Sequence, residues 1–387
     1  MDINVALRVG RDMIYLASCA LHGRTPDKDT VKGMDFVRLY RMAKFHNMQS
    51  VVYLALAKYV KEQGSTDIPE EVYAKFASDY QGTVRKLVLF DIEREALCEF
   101  LGKQSWYLCL KGVVMQNYYP QLGMRQMADN DILIDQRLAP AVRDFLVERG
   151  YSVEQFGKGC HDTYFRGPLN FEIHRRLFSS AAKTRLGFDY YGRVKNMLLP
   201  GERPGELIFS DDDFYVYFMY HAYKHYATSG CGVRTLMDIF LYRSKNHRLN
   251  AAYIDGELAR LGIGEYERDS RELAFCLFDP SFTPDGEIPE HLLPMLQYYI
   301  TSGTFGTTEK RMDNMLSDVS GGGKVNSLTK IKYLLVRLFP GMDYYREAYP
   351  RAHKWIVTIP FLWLARIFRG IGKVKTITRE VGDLKDK

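Results

Sequence analysis

No C-x-x-C pair occurs among the six cysteines Cys19, Cys98, Cys109, Cys160, Cys231 and Cys276. That excludes a zinc knuckle, and thiols scattered among mostly apolar neighbours make no disulfide framework. Such thiols suit a reducing cytoplasm. The N-terminal run MDINVALRVGRDMIYLASCALHG lacks a basic n-region and is interrupted by charges, so it is a poor signal peptide. No apolar run reaches the ~20 residues of a spanning helix. The most apolar late stretch, 355–365, is short and contains Pro360. The Gly-Gly-Gly-Lys run at 321–324 lacks P-loop spacing and a preceding strand, so no P-loop is present. There is no internal repeat. The net charge of +6 over 387 residues is mild, and no specific nucleic-acid partner is expected from it.

What is present is ordinary globular composition, 46% hydrophobic and 26% charged, in a chain long enough for two or three structural units. The charge is uneven. Residues 324–387 carry 14 Lys/Arg against 5 Asp/Glu, a net +9 that leaves the preceding 323 residues at −3.

The periodicity divides the chain. Val5, Val9, Met13, Leu16 and Ala20 recur at helical spacing. Residues 35–60 read as two packed helices. Pro69, followed by Glu70 and Glu71, opens a long helix running to about Lys103. Residues 1–103 are therefore an expected helical region. From Ser105 the texture changes to short strands: WYLCL, DNDILI, YSVEQF, DTYFR and LNFEIH. Two helices lie among them, VVMQNYY and LAPAVRDFLVERG, and a Gly167-Pro168 turn separates the last two strands. The order β-α-β-α-β-β-β places an α+β core within residues 104–210. Helices return over 211–316. A linker, SDVSGGGKVNS at 317–327, leads into a basic C-terminal segment, and both fall in the division 317–387.

The chemistry concentrates in the strands. Period-two geometry puts Asp129 and Asp131 on one strand face with Asn130 on the other. Two adjacent carboxylates repel, and a divalent cation resolves that repulsion. Glu172 and His174 alternate in the same way on the last strand. A third carboxylate on a neighbouring strand is what two-metal phosphoryl transfer requires. Lys111-Gly112 lies at a strand-to-helix turn, where backbone N–H groups can receive phosphate. Arg125, in the loop before the aspartates, either neutralises a triphosphate or pairs with Asp129. His161 stands before a strand and can face the same cleft. His221 and His225 share one helix face, flanked by Lys224. HAYKH lacks the glutamate of H-E-x-x-H, so packing or substrate contact is the expectation there. Arg234 and Asp238, four apart, read as an intrahelical pair.

The run LKGVVMQNYYPQLGMRQMADNDILI, with the Gly-Tyr at 150–151, HDTYF and FEIHRRL, resembles the uncharacterised nucleotidyltransferase-like family of bacteria. FVRLYRMAKFHNMQSVVYLAL, YHAYKHY and VRTLMDIFL are similar to it as well. The resemblance is strongest over 108–178. It implies a nucleotidyltransferase-fold core with a small mixed sheet, flanked by N- and C-terminal helical regions. It implies Mg²⁺ or Mn²⁺ held by Asp129, Asp131 and Glu172, and an NTP bound at Lys111, Gly112 and Arg125. His161, His174, His221, Lys224 and His225 are the accessory candidates. The expected activity is metal-dependent transfer of a nucleoside monophosphate to a hydroxyl of an unknown acceptor: a small molecule, glycan or protein. The alternative is a catalytically inactive nucleotide- or partner-binding module of the same fold. Two residues depart from the wider superfamily: Lys111 stands in a turn that usually reads Gly-Ser or Gly-Gly, and Asn130 replaces an apolar residue. Residues 351–379 interleave Trp355, Phe361, Trp363 and Phe368 with basic residues. They read either as a helix packed on the body or as a segment meeting an anionic membrane surface. The expected location is cytoplasmic, peripheral at the inner membrane face in the second case.

Overall fold

Polar caps precede the apolar repeats that become helices. In the computed structural model, Asp2 accepts hydrogen bonds from the Asn4 and Val5 N–H groups and opens α1 (Ile3–Leu21). The described residues are 2–339, except 65–66, 181–183, 305 and 321–326, together with Met342, Tyr345 and Phe361. Helices α2 (Lys28–Lys32), α3 (Phe36–Phe45), α4 (Gln49–Gln63) and α5 (Glu70–Gly102) follow. The 33-residue α5 starts after Pro69 with two acids in its first turn, as its sequence predicts. It stops at Gly102, where a Cβ would stand 2.3 Å from the Pro204 carbonyl oxygen.

The strand region forms one mixed five-stranded sheet. Strands β1 (Tyr107–Cys109), β2 (Asn130–Ile134), β3 (Ser152–Gln155), β4 (His161–Arg166) and β5 (Leu169–His174) lie in the order β1-β2-β5-β4-β3. Only β2 and β5 run parallel, with Asp131 opposite Glu172 and Leu133 opposite His174. Helix α6 (Lys111–Gln116) follows β1, and α7 (Ala139–Glu148) crosses from β2 towards β3. Gly150, at φ +84°, ends that crossing in a conformation glycine adopts without strain.

Alternation along the strands decides what each sheet face touches. Ile132, Ile134, Phe171 and Ile173 pack with Leu87, Phe90 and Leu97 of α5 and with Val142 and Leu146 of α7. Leu108, Leu110 and Leu133 face the other way and join the larger core. Each fully buried aliphatic side chain contributes about 1.5–3 kcal/mol.

After α8 (Arg185–Tyr190) and a ribbon of β6 (Leu199–Pro200) and β7 (Leu207–Ile208), helices resume. They are α9 (Asp211–Thr228), α10 (Arg234–Lys245), α11 (Ala251–Arg260), α12 (Gly264–Phe278) and α13 (Leu293–Ser302). Ser210 caps α9, whose first turn is Asp211-Asp212-Asp213. The helical regions expected separately at 1–103 and 211–316 share one core. Met13 and Leu16 of α1, Val51 of α4, Ile239 of α10, Leu273 of α12 and Ile300 of α13 belong to a single buried cluster. Neither set of apolar stripes is covered by the sheet alone, so each set covers the other.

Helix α14 (Thr308–Ser320) runs through position 317, so the first four residues of the expected linker are helical. Helix α15 (Ser327–Leu338) begins at the linker's last residue, and 321–326 lie outside the described residues. The aromatic and basic segment 351–379 also lies outside them, Phe361 apart. No helix among the described residues is long and apolar enough to cross a membrane.

Candidate functional site

Strand β2 delivers Asp131 to the sheet face that looks towards α9, and its neighbour Asn130 to the face that looks at α5. Asn130 is fully buried there. Its amide donates to the Phe90 carbonyl oxygen at 3.2 Å and accepts from Arg94 Nη1 at 3.3 Å. The polar residue between the aspartates is thus tolerated because α5 supplies both partners.

Asp131 is almost wholly enclosed, with its side chain 2% exposed. Lys111 Nζ donates to Oδ2 at 2.8 Å, and His174 Nε2 lies 2.9 Å from Oδ1. Burial acts to raise the Asp131 carboxyl, but the Lys111 and His174 charges overrule it and hold the group well below the usual carboxylate range. His174 responds in the opposite sense. Burial acts to lower it, yet the bond to Asp131 lifts it to about 9. Lys111, at the start of α6, is likewise raised by Asp131 against the effect of burial.

Asp129 stands one residue before β2, half-buried, with no hydrogen-bond or ion-pair partner among the described residues. Burial first, then the neighbouring Asp131 carboxylate, pushes it up to about 6. Glu172 comes to the same face from β5. An oxygen of Asp131, one of Glu172 and a nitrogen of His174 all lie within 4.8 Å of one another. Asp131, Glu172 and His174 therefore meet on one face, with Asp129 close enough to feel the charge of both carboxylates. A divalent cation fits this donor set, because burial and the neighbouring carboxylate outweigh the attraction of Lys111 and Arg234 at Asp129.

The other candidates fall into place around this cluster. His161, paired across the sheet with His174, puts Nε2 3.8 Å from Glu172 Oε2. Its Nδ1 lies 3.6 Å from Cys160 Sγ. Burial acts to raise the Cys160 thiol, but His161 and His174 bring it down to about 6. Helix α9 carries His221, Lys224 and His225 over the same face. The His221 and His225 Nε2 atoms are 3.3 Å apart. Burial drives both imidazoles down, His225 to about 3 and His221 well below its ordinary value, so both are neutral. Lys224 is lowered by burial and by the like charge of Lys111, and it has no carboxylate partner among the described residues.

Two expectations meet a different geometry. Arg125 does not point at an open triphosphate position, nor does it pair with Asp129. Its Nε and Nη2 donate to Asp238 Oδ1 and Oδ2, both at 2.9 Å, and its Nη1 reaches the Gly112 carbonyl oxygen at 3.4 Å. The guanidinium is buried, and a two-point carboxylate partner is what makes that burial tolerable. Asp238 therefore does not pair with Arg234 along α10; Arg234 Nη1 donates to the Gln126 carbonyl oxygen at 2.6 Å instead.

Sequence reading missed Lys86 and Cys160. Lys86 Nζ donates to the Ala128 carbonyl oxygen at 3.2 Å, next to Asp129. Nothing in the spacing of α5 signals this, since the contact spans 42 residues. Cys160 had a signal in its direct adjacency to His161.

The chain is matched over residues 32–279, a span that includes the whole five-stranded sheet, by the family model described as uncharacterised nucleotidyltransferase. The chain belongs to that nucleotidyltransferase family. Neither a curated protein nor a solved structure matches it. Membership in a nucleotidyltransferase family points to nucleotidyl transfer as the general activity and to an NTP as the substrate. Nucleotidyltransferases usually employ divalent metals, and the acid and histidine groups of this face can hold one.

Proposed function

We propose that the protein is a nucleotidyltransferase in which Asp129, Asp131 and Glu172 hold Mg²⁺ or Mn²⁺ and an NTP donates its nucleoside monophosphate to an acceptor hydroxyl. The observation that carries this reading is Asp129: a desolvated carboxylate beside two others, without a partner of its own. Bound Mg²⁺ supplies charge neutralisation for the triphosphate and lowers the pKa of the attacking hydroxyl. The chain's own residues do the rest. Lys224, an unpaired cation facing the carboxylates from α9, takes the phosphate tail. Arg125 positions the Lys111-Gly112 turn through Gly112 and α10. Lys111 holds Asp131 ionised, and His174 fixes the second Asp131 oxygen. The acceptor oxygen forms its bond to the α-phosphorus, the α–β phosphoanhydride bond breaks, pyrophosphate leaves, and the acceptor proton goes to the nearby carboxylates or solvent.

A second reading has one specific observation behind it. Both oxygens of Asp131 are already occupied, by Lys111 and His174, which suits a module that binds nucleotide or a partner without turnover. Purified protein incubated with Mg²⁺, each α-labelled NTP and cell extract separates the two. Label transferred to an acceptor fraction, and lost in Asp129→Asn, is the expected result. Nucleotide binding with no transfer would leave the binding module. Cytoplasmic location and contact of residues 351–379 with an anionic membrane surface belong to the same proposal.

A further inference from the structure

We propose that Cys160, His161 and His174 form a site for a thiophilic divalent cation, Zn²⁺ in the first instance, separate in chemistry from the carboxylate site beside it. The ligand atoms of these three residues lie within 4.8 Å of one another. The sheet builds the cluster. His161 and His174 are direct partners across β4 and β5, with ring centroids 5.1 Å apart. Cys160 is tied to the end of β5, because its carbonyl oxygen accepts from the Arg175 N–H at 2.8 Å.

A second observation points to a missing ligand. His174 is buried, and its Nε2 is committed to Asp131 at 2.9 Å. Its Nδ1 is buried and has no hydrogen-bond partner. An imidazole that bonds a carboxylate through one nitrogen and leaves the other bare is the arrangement of a metal-ligating histidine oriented by an outer carboxylate. Asp131 would thus serve two sites, as an acceptor for the His174 Nε2–H and as a neighbour of the oxygen-bound cation. His161 presents Nδ1 to the thiol at 3.6 Å, and one nitrogen of His174 lies within 4.8 Å of both.

Ligand type selects the ion. One sulfur and two imidazole nitrogens suit Zn²⁺, whereas Mg²⁺ prefers oxygen. Three protein ligands leave a fourth position open. Glu172 Oε2 lies 3.8 Å from Nε2 of both histidines, the nitrogens not offered to this ion, so it adjoins the ligands from outside. The charge is accommodated, because Asp131 and Glu172 adjoin the cluster.

Cobalt(II) titration of the full-length protein tests the site. Bound Co²⁺ should give a near-ultraviolet sulfur-to-metal charge-transfer band, displaced by Zn²⁺ at one ion per chain. Cys160→Ser should lose the band, and His161→Gln should weaken Zn²⁺ binding by about tenfold or more. The thiols Cys98 and Cys109, whose sulfurs are 3.9 Å apart, are the internal control: Ser at both positions should leave the band in place. Asp129→Asn should also retain it, so failure of the carboxylate-site reading and failure of this one remain distinguishable. In the unmodified protein, Zn²⁺ should slow alkylation of Cys160 as read by peptide mass spectrometry, which requires no variant to fold. No thiolate band, a band that survives Cys160→Ser, or unchanged Cys160 alkylation would overturn the site.

Discussion

Asp129 and Asp131 are two residues apart and chemically identical, yet their surroundings give them different roles. Asp129 makes no hydrogen bond or ion pair among the described residues, and burial with the Asp131 repulsion outweighs the attraction of Lys111 and Arg234, so Asp129→Asn should leave stability unchanged or slightly higher. It should weaken Mn²⁺ binding at the carboxylates to below detection by calorimetry. Asp131 holds Lys111 and His174. Asp131→Asn leaves a largely buried ammonium short of its partner, and such broken pairs cost about 3 kcal/mol at the lower end of their range. Urea unfolding of the two variants should therefore separate them, and equal stabilities would contradict the Lys111 geometry. Arg125 and Asp238 offer a second residue-scale test. Asp238→Asn should destabilise by about 3–5 kcal/mol, because it strands a buried guanidinium. The double variant Arg125→Met, Asp238→Leu should cost clearly less than the two single changes added together. Additive costs in a double-mutant cycle would mean the pair is not formed.

At the scale of elements, the joints between helices depend on few polar contacts. His46, at the end of α3, is fully buried. Its Nε2 meets the Ile300 carbonyl oxygen of α13 at 3.0 Å, and its Nδ1 accepts from the Val233 N–H at 3.3 Å. Those partners require the neutral Nε2–H tautomer. Burial lowers its pKa from 6.5 to about 4, with Arg234 adding to the effect. The unfolded chain therefore binds the proton first as pH falls. The stability that neutral His46 contributes is present at pH 7 and is lost between about 6.5 and 4. The loss from pH 7 to pH 5 should be about 2 kcal/mol. Urea midpoints of the wild type and His46→Gln at the two pH values check this, since the variant should lack that component of the pH dependence. A slope that His46→Gln leaves unchanged would assign the effect to another group.

Across the whole molecule, the shared core predicts cooperative dependence between distant parts of the chain. Deleting residues 1–103 uncovers Ile239, Leu273 and Ile300, and removes the α5 face beneath β2 and β5. The remainder should lack a cooperative thermal transition by circular dichroism. A well-folded 104–387 fragment would show instead that the sheet and the later helices are self-sufficient. The basic segment acts at the same scale. With Trp355, Trp363 and Phe368 beside Lys354, Arg366 and Arg369, the full chain should sediment with anionic liposomes at low salt. Binding should weaken as salt screens the charge and disappear on deletion of 351–387. Protein that stays in the supernatant at low salt would remove the membrane from the proposal.

What the sequence determined on its own was local and periodic. The long helix after Pro69, the acidic first turn of α9, the succession of strands along the chain, and the shared face of Glu172 with His174 within one strand all follow from residue type and from periods of 3.6 and 2. A backbone with those periods has little choice about which side chains share a face. What only the tertiary structure decided depends on contacts between residues far apart in the chain. Arg125 found Asp238 rather than a phosphate position, because a buried guanidinium takes the carboxylate that the fold brings to it, from 113 residues away. Lys111 reached Asp131, α5 supplied partners for Asn130, and two helical regions became one core by the same rule. Burial makes each polar group and each apolar stripe find a partner, and that partner is chosen by the three-dimensional neighbourhood, which spacing along one chain does not encode.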